Sequence, residues 1–236
     1  LQLKLIKNSL RANKKSGNEI GLMNDYRNMG NLSMQKTDWA NADKFYKNSL
    51  EINNKTNNRY EISEDYRNRG NLYLQKEDWD LCEKLSLQAL KIAEEIKDLR
   101  NVCHDSRILG KVYAEKKSRN KQEEYYKKAL EASEELKDEA GLQVDHRNLG
   151  ELCLGRGYKD RSENHFKASL EISLRTANKK EIATDYRHMG NLSFNNGNRT
   201  EAEKYYRDAL NLTLEVGDKN GTAQDYTYIG NLKFKD

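Results

Sequence analysis

Apolar and small residues recur at spacings of three and four near the start of the chain: Leu22, Tyr26, Met29, Gly30 and Ser33. That spacing predicts an amphipathic helix over residues 19–36. A polar break at Thr37-Asp38 follows. A second stripe, Ala42, Phe45, Tyr46, Ser49, Leu50 and Ile52, then predicts a helix over residues 39–55. The pair returns at a step of forty residues. Asp25–Leu32 reads DYRNMGNL, and its copies begin at Asp65, Asp105, Asp145, Asp185 and Asp225, with no insertion or deletion between them. Leucine closes the second helix each time, at Leu10, Leu50, Leu90, Leu130, Leu170 and Leu210, and alanine or serine precedes it.

A fixed period in this range predicts a stack of repeats, each touching its neighbours only. The expected fold is an all-α solenoid of about twelve helices, first helices (A) alternating with second helices (B). It occupies residues 1–236 without linker or second domain. The chain begins inside a B helix at Leu1, not at a methionine, and ends in an A helix near Phe234, which reads as a piece of a longer protein. Asn18, Asn58, Asp98, Asp138, Asn178 and Asp218 stand where each A helix starts, as its free N–H groups require. Asn58 with Glu61, and Asn178 with Glu181, have capping-box spacing. Asp38, Asp78, Ser118 and Asn198 can start the B helices. Gly30 and its five equivalents sit mid-helix at a cost of ~1 kcal/mol each relative to alanine. Close approach of a neighbouring helix accounts for them.

Composition narrows the function classes. Charged residues make up 34% and proline is absent, which suits helices with broad solvated faces. The formal charge of +4 does not suggest wholesale nucleic-acid binding. Cys82, Cys103 and Cys153 have neither CxxC spacing nor an even count, so they read as small buried hydrophobes rather than disulfide or zinc partners. No signal-peptide pattern and no bilayer-length apolar run is present, and the expected setting is cytoplasmic. Sequons at Asn31, Asn191, Asn198, Asn211 and Asn220 follow from an asparagine-rich composition. His104, His146, His165 and His188 fall on unrelated repeat positions. There is no Ser/His/Asp set or glycine-rich phosphate loop. The segment is expected to be no enzyme and to hold no cofactor or metal.

The pattern resembles the tetratricopeptide repeat. Its large residue, Leu-Gly pair, tyrosine, turn glycine, small residue, aromatic and Ala-Leu correspond to Tyr186, Met189-Gly190, Ser193, Gly197, Ala202, Tyr206 and Ala209-Leu210, with serine in place of the tyrosine. The family's usual period is 34, and forty is similar to the LGN/Pins-type subclass. Ser106 and His146 replace the first aromatic, and Gln122 and Ser162 the small B-helix residue, so the middle units are expected to pack less tightly. The resemblance implies a right-handed superhelix and a peptide-binding concave groove.

Positions 24, 27, 31, 34 and 35 form the A-helix stripe away from the core. Position 27 is Arg27, Arg67, Arg107, Arg147 and Arg187, then Thr227; position 31 is Asn31, Asn71, Lys111, Glu151, Asn191 and Asn231. Guanidinium forks grip carboxylates, and asparagines both donate to and accept from peptide amides. Arg27/Asn31, Arg67/Asn71 and Arg187/Asn191 match the spacing of a carboxylate clamp in some family members. The peptide-binding set is Arg27, Asn31, Arg67, Asn71, Arg107, Lys111, Arg147, Arg187, Asn191 and Asn231. The competing reading pairs the arginines with the aspartates of the position-25 series in an adjacent repeat, as struts. Phe194 and Phe234 add apolar contacts, either to ligand or to the core.

The leading function is a scaffold or adaptor that binds an extended acidic or C-terminal peptide of a partner protein. The second is a ligand-sensing arm of a larger protein. Nucleic-acid binding is the weakest, since no aromatic rings interleave with the arginines. The sequence leaves the oligomeric state open.

Overall fold

The computed structural model describes residues 2–233, so Phe234 lies outside the described residues. These form twelve helices and no strand: α1 (Gln2–Ser16), α2 (Glu19–Gln35), α3 (Trp39–Thr56), α4 (Arg59–Gln75), α5 (Trp79–Glu95), α6 (Leu99–Glu115), α7 (Arg119–Leu136), α8 (Glu139–Gly155), α9 (Lys159–Arg175), α10 (Lys179–Asn195), α11 (Arg199–Glu215) and α12 (Lys219–Lys233). The expected A helices are the even-numbered ones and the B helices the odd-numbered ones. None of these helices is long and apolar enough to cross a membrane. The chain divides into two compact units, residues 1–129 and 130–236.

The backbone repeats at twenty residues, half the sequence period. A left-handed residue stands at Gly17, Thr37, Asn57, Glu77, Lys97, Lys117, Lys137, Gly157, Ala177, Gly197 and Gly217. At each turn the following N–H returns to a carbonyl five residues back, for example Asp38 to Ser33, Asp78 to Tyr73 and Asp218 to Thr213. This is the Schellman closure. The residue that closes one helix also starts the next. The side chain of Asp38 caps the Asn41 N–H, and Asn18, Asn58, Asp78, Asp98, Asn178 and Asp218 act likewise. Asp138 and Asn198 occupy cap positions but make no side-chain cap bond. The capping boxes are only half formed. Glu61 and Glu181 turn away from their caps to bind Arg27 and Arg147.

In the first unit, consecutive helices α1 to α6 pack in sequence, and α4 also touches α6. Its main core joins Ala42, Tyr46, Leu72, Tyr73, Cys82, Leu85, Ile108 and Val112. A second cluster holds Leu50, Ile62 and Ile92. In the second unit α8 to α12 pack in sequence. Phe166, Met189 and Leu192 form one cluster, and Ala202, Tyr206 and Leu232 another, which half-buried Phe194 joins. All three cysteines are free and buried.

The mid-helix glycines sit where the following B helix comes nearest. A methyl group added at Gly30, Gly110, Gly150 or Gly190 would collide with the ring of Tyr46, Tyr126, Phe166 or Tyr206 respectively. At Gly70 the ring is replaced by Ser86, whose Oγ would lie 2.9 Å from that methyl. Gly230 has nothing within 4 Å. The substitutions at positions 106 and 162 are buried too. Ser162 donates to the Gly150 carbonyl at 2.8 Å, while the Ser106 hydroxyl has no partner.

Candidate peptide-binding face

Aspartate at position 25 is the hub of a repeated buried node. Asp65, Asp105, Asp145, Asp185 and Asp225 are fully buried, and Asp25 is 6% exposed. Five of the six carboxylates are held by side chains of the B helix before them; at Asp105 the corresponding positions are Ala89 and Ala93, and Arg67 holds it instead. Ser49 and Asn53 donate to Asp65 at 2.9 and 2.6 Å, Ser133 to Asp145 at 2.7 Å, and Thr213 to Asp225 at 2.8 Å. Ser169 donates to Asp185 at 2.6 Å, joined by Ser173. Asp25 receives Asn13 at 2.7 Å.

The position-27 arginines complete the nodes from the preceding A helix. Arg27 Nε donates to Asp65 at 2.7 Å, and its other nitrogens reach the Glu61 carboxylate and carbonyl. Arg67 forks onto Asp105 at 2.7 and 3.0 Å and also binds Glu64. In the second unit, Arg147 Nε lies 2.6 Å from Asp185 and also engages Glu181. Arg187 Nε lies 2.5 Å from Asp225, with Thr184 beside it. Arg107 is half-buried and also engaged. Burial raises the Asp65 carboxyl above its ordinary range, against the pull of Arg27, Asn53 and Ser49. Burial opposes the charge on Arg27, yet Asp65 and Glu61 raise its guanidinium above the usual value.

These contacts decide the local charge. Arg27, Arg67 and Arg147 each face two carboxylates, so their nodes carry a net negative charge, and the Arg187 node is neutral. Such pairs resist an incoming carboxylate, which would have to displace one already in place. At these four arginines the geometry is that of struts between A helices.

The carboxamides behave differently. In α2, Asn31 is exposed and its Oδ1 accepts from Tyr46 Oη at 2.7 Å. Asn191 accepts from Tyr206 in the same way, also at 2.7 Å. The tyrosine fixes the oxygen and leaves the NH2 of the amide to donate outward. Ser86 stands where that tyrosine would reach Asn71, so half-buried Asn71 lacks the same support. Lys111, Glu151 and Asn231 are exposed. Asn28 and Asn68 were missing from the sequence-derived set. At ~100° per residue, Asn24, Asn28, Asn31 and Gln35 share a narrow stripe on α2. All four are exposed. On α4 the stripe is Glu64, Asn68, Asn71 and Gln75. Only the direction taken by Arg27, sideways onto the next A helix, shows that the stripe centres on position 28.

The second unit gathers three of the four histidines. His146 and His165 face each other with Nδ1 atoms 3.1 Å apart, and the His188 ring stacks on Phe166 at 5.0 Å. Burial, with Arg147 adding repulsion, lowers His188 to about 4. Its 3.5 Å approach to Glu151 is therefore a contact of a neutral ring at neutral pH. Among the described residues, no group of three or more His, Cys, Asp or Glu could hold a metal ion.

Comparison with known proteins agrees with the helical fold. The chain is similar over its length to BtubC (BKLC) from P. vanneervenii, with a TM-score of 0.82, 18% identity, and 92% of this chain and 91% of that one covered. The apo form of RapI gives a TM-score of 0.78 at 17% identity, covering 86% and 74%. The Rap conjugation gene regulator of plasmid pLS20, solved in complex with the Phr* peptide, gives 0.70 at 13% identity, covering 94% and 62%. These likenesses establish the fold. No curated protein matches the sequence. Residues 108–136 and 186–215 match the tetratricopeptide repeat family model, and the chain carries tetratricopeptide repeats at those segments.

Proposed function

We propose that the protein is an interaction scaffold whose A helices bind an extended peptide segment of a partner protein. The observation that carries this reading is the orientation of Asn31 and Asn191. Each is held through its oxygen by a tyrosine of the next B helix, with its amide hydrogens free. A peptide main chain presents carbonyls to such donors regardless of its side chains. Complexes such as that of the plasmid pLS20 regulator with the Phr* peptide support the choice of ligand class.

The proposed contact residues are Asn31, Asn71 and Lys111 in the first unit, and Asn191 and Asn231 in the second. Arg27 and Arg67 in the first unit, and Arg147 and Arg187 in the second, act in this reading by holding neighbouring A helices in register, and Arg107 stands at the same repeat position. An acidic or C-terminal peptide is the finer form of the proposal. Its carboxylate is better served by Lys111 and the free amide donors than by guanidinium groups already facing aspartate and glutamate. A single repeat array with the forty-residue LGN/Pins-type period, acting in the cytoplasm as an adaptor, completes the reading.

Selection from a random-peptide display library against the whole chain tests it. Enriched sequences that bind the wild type but not an Asn31→Ala/Asn71→Ala/Asn191→Ala variant are expected. Enrichment indifferent to those three changes would overturn the assignment.

A further inference from the structure

Helix α1 differs from the other B helices in its charge. It carries Lys4, Lys7, Arg11, Lys14 and Lys15 and no acidic residue. All five are exposed, and none forms an ion pair with a described residue. Elsewhere in the first unit Lys47 pairs with Asp43 at 2.7 Å and Lys116 with Asp80 at 2.5 Å. Lys44 and Lys55 of α3 are exposed without an ion pair to a described residue but share their helix with Asp43 and Glu51. What sets α1 apart is that it carries no carboxylate of its own. The equivalent register positions in α3 are Lys44, Lys47, Glu51, Asn54 and Lys55, and all of these are exposed although α3 packs on both α2 and α4. The five cations of α1 therefore occupy the solvent face of a B helix, whatever packs against its inner side.

Their spacing is regular. Lys4, Lys7, Arg11 and Lys14 are separated by three, four and three residues. That is the heptad rhythm, which keeps side chains in one row along a partner helix. The row runs about 15 Å at ~1.5 Å per residue. Lys4, Lys7 and Arg11 also border a shallow depression of about 460 Å³, with Leu3 and Asn8. The same row on α3 is interrupted by Glu51, and α5 ends in Glu94 and Glu95, so the uncompensated positive field belongs to α1.

We propose that the exposed face of α1 docks an acidic helix of a protein partner, whose carboxylates lie at heptad spacing against the cation row. This surface is separate from the A-helix face proposed to bind peptide. Two other polyanions fit less well. Nucleic-acid strands gain affinity from stacking platforms, and no aromatic ring interrupts this row. An anionic bilayer needs apolar insertion for firm binding. Exposed Leu5 lies about 100° around the helix from Lys4, at the register where Phe45 and Tyr205 are half-buried.

The test uses fluorescence anisotropy with the whole chain and a labelled alanine-based helical peptide carrying glutamates at heptad spacing. Its control has the same composition, with the glutamates distributed around the helix. The heptad peptide is expected to bind more tightly at about 50 mM than at about 300 mM salt, since screening weakens exposed pairs. Lys4→Glu/Arg11→Glu is expected to weaken it by about tenfold, from two exposed pairs reversed in sign. Lys204→Glu on α11 should leave it unchanged, and circular dichroism checks that all variants fold. Equal binding of the control peptide overturns the proposal. So does tighter binding of duplex RNA or phosphatidylserine vesicles through Lys4 and Arg11, or self-association of the chain through the same residues.

Discussion

Arg67 holds Asp105 through two parallel hydrogen bonds, with both residues buried and thirty-eight positions apart. The fork ties α4 to α6, and Arg27–Asp65 ties α2 to α4 in the same sense. Truncation of one partner leaves a buried charge unmatched. Arg67→Ala is expected to cost about 3–5 kcal/mol of stability. Arg67→Lys should recover only part of it, because an ammonium cannot make the planar fork. Chemical denaturation measures both. A melting transition unchanged in Arg67→Ala would contradict the strut assignment.

The glycine positions give a graded set. Gly110→Ala places a methyl group against the buried Tyr126 ring and should cost about 1–3 kcal/mol. At Gly70 the obstacle is the Ser86 hydroxyl, which can rotate away. Removal of a mid-helix glycine is worth up to ~1 kcal/mol, so Gly70→Ala should be neutral or stabilising, and Gly230→Ala stabilising. Thermal melts of the three variants rank them. Gly110→Ala at least as stable as Gly70→Ala would refute the close-approach explanation.

His188 links stability to acid. Its folded pKa of about 4 lies below the ordinary value of 6.5. The neutral ring is therefore favoured by folding, a contribution present in full above about pH 6.5 and lost as pH falls toward 4. Its upper size is about 3 kcal/mol. His146 is shifted in the same direction by burial. His188→Asn, the residue found at Asn28, Asn68 and Asn148, should lose stability at pH 7 with the Phe166 stack. It should also flatten the pH dependence between 6.5 and 4. Urea titrations across that range decide it, and an unchanged slope would argue against the buried neutral ring.

How much of this was legible beforehand depends on what each residue encodes. Hydrophobic spacing and the Asn/Asp starts carried the helices, because both are properties of a single element. The twenty-residue backbone period was hidden. Thr37, Glu77 and Lys97 take the left-handed turn position without announcing it, whereas Gly17, Gly157, Gly197 and Gly217 do. The partners of Arg27 were narrowed to two readings and no further. Its choice of Asp65 depends on how far one A helix is offset from the next, which no periodicity within a helix specifies. With the stripe centred on the arginine, Asn28 and Asn68 fall outside the set that the spacing predicts.

The central claim is that carboxamides on the A helices read a peptide main chain, while the arginines beside them are committed to the fold. Calorimetric titration of a library-selected twelve-residue peptide into the wild type and into Asn31→Ala/Asn71→Ala tests it most directly. The double variant is expected to bind about 1–3 kcal/mol more weakly, with its melting temperature lowered only by the loss of the Tyr46–Asn31 hydrogen bond, a change that Tyr46→Phe reproduces without loss of affinity. Undiminished affinity in that variant, or affinity lost in Arg27→Ala while its melting temperature stays that of the wild type, would contradict the claim.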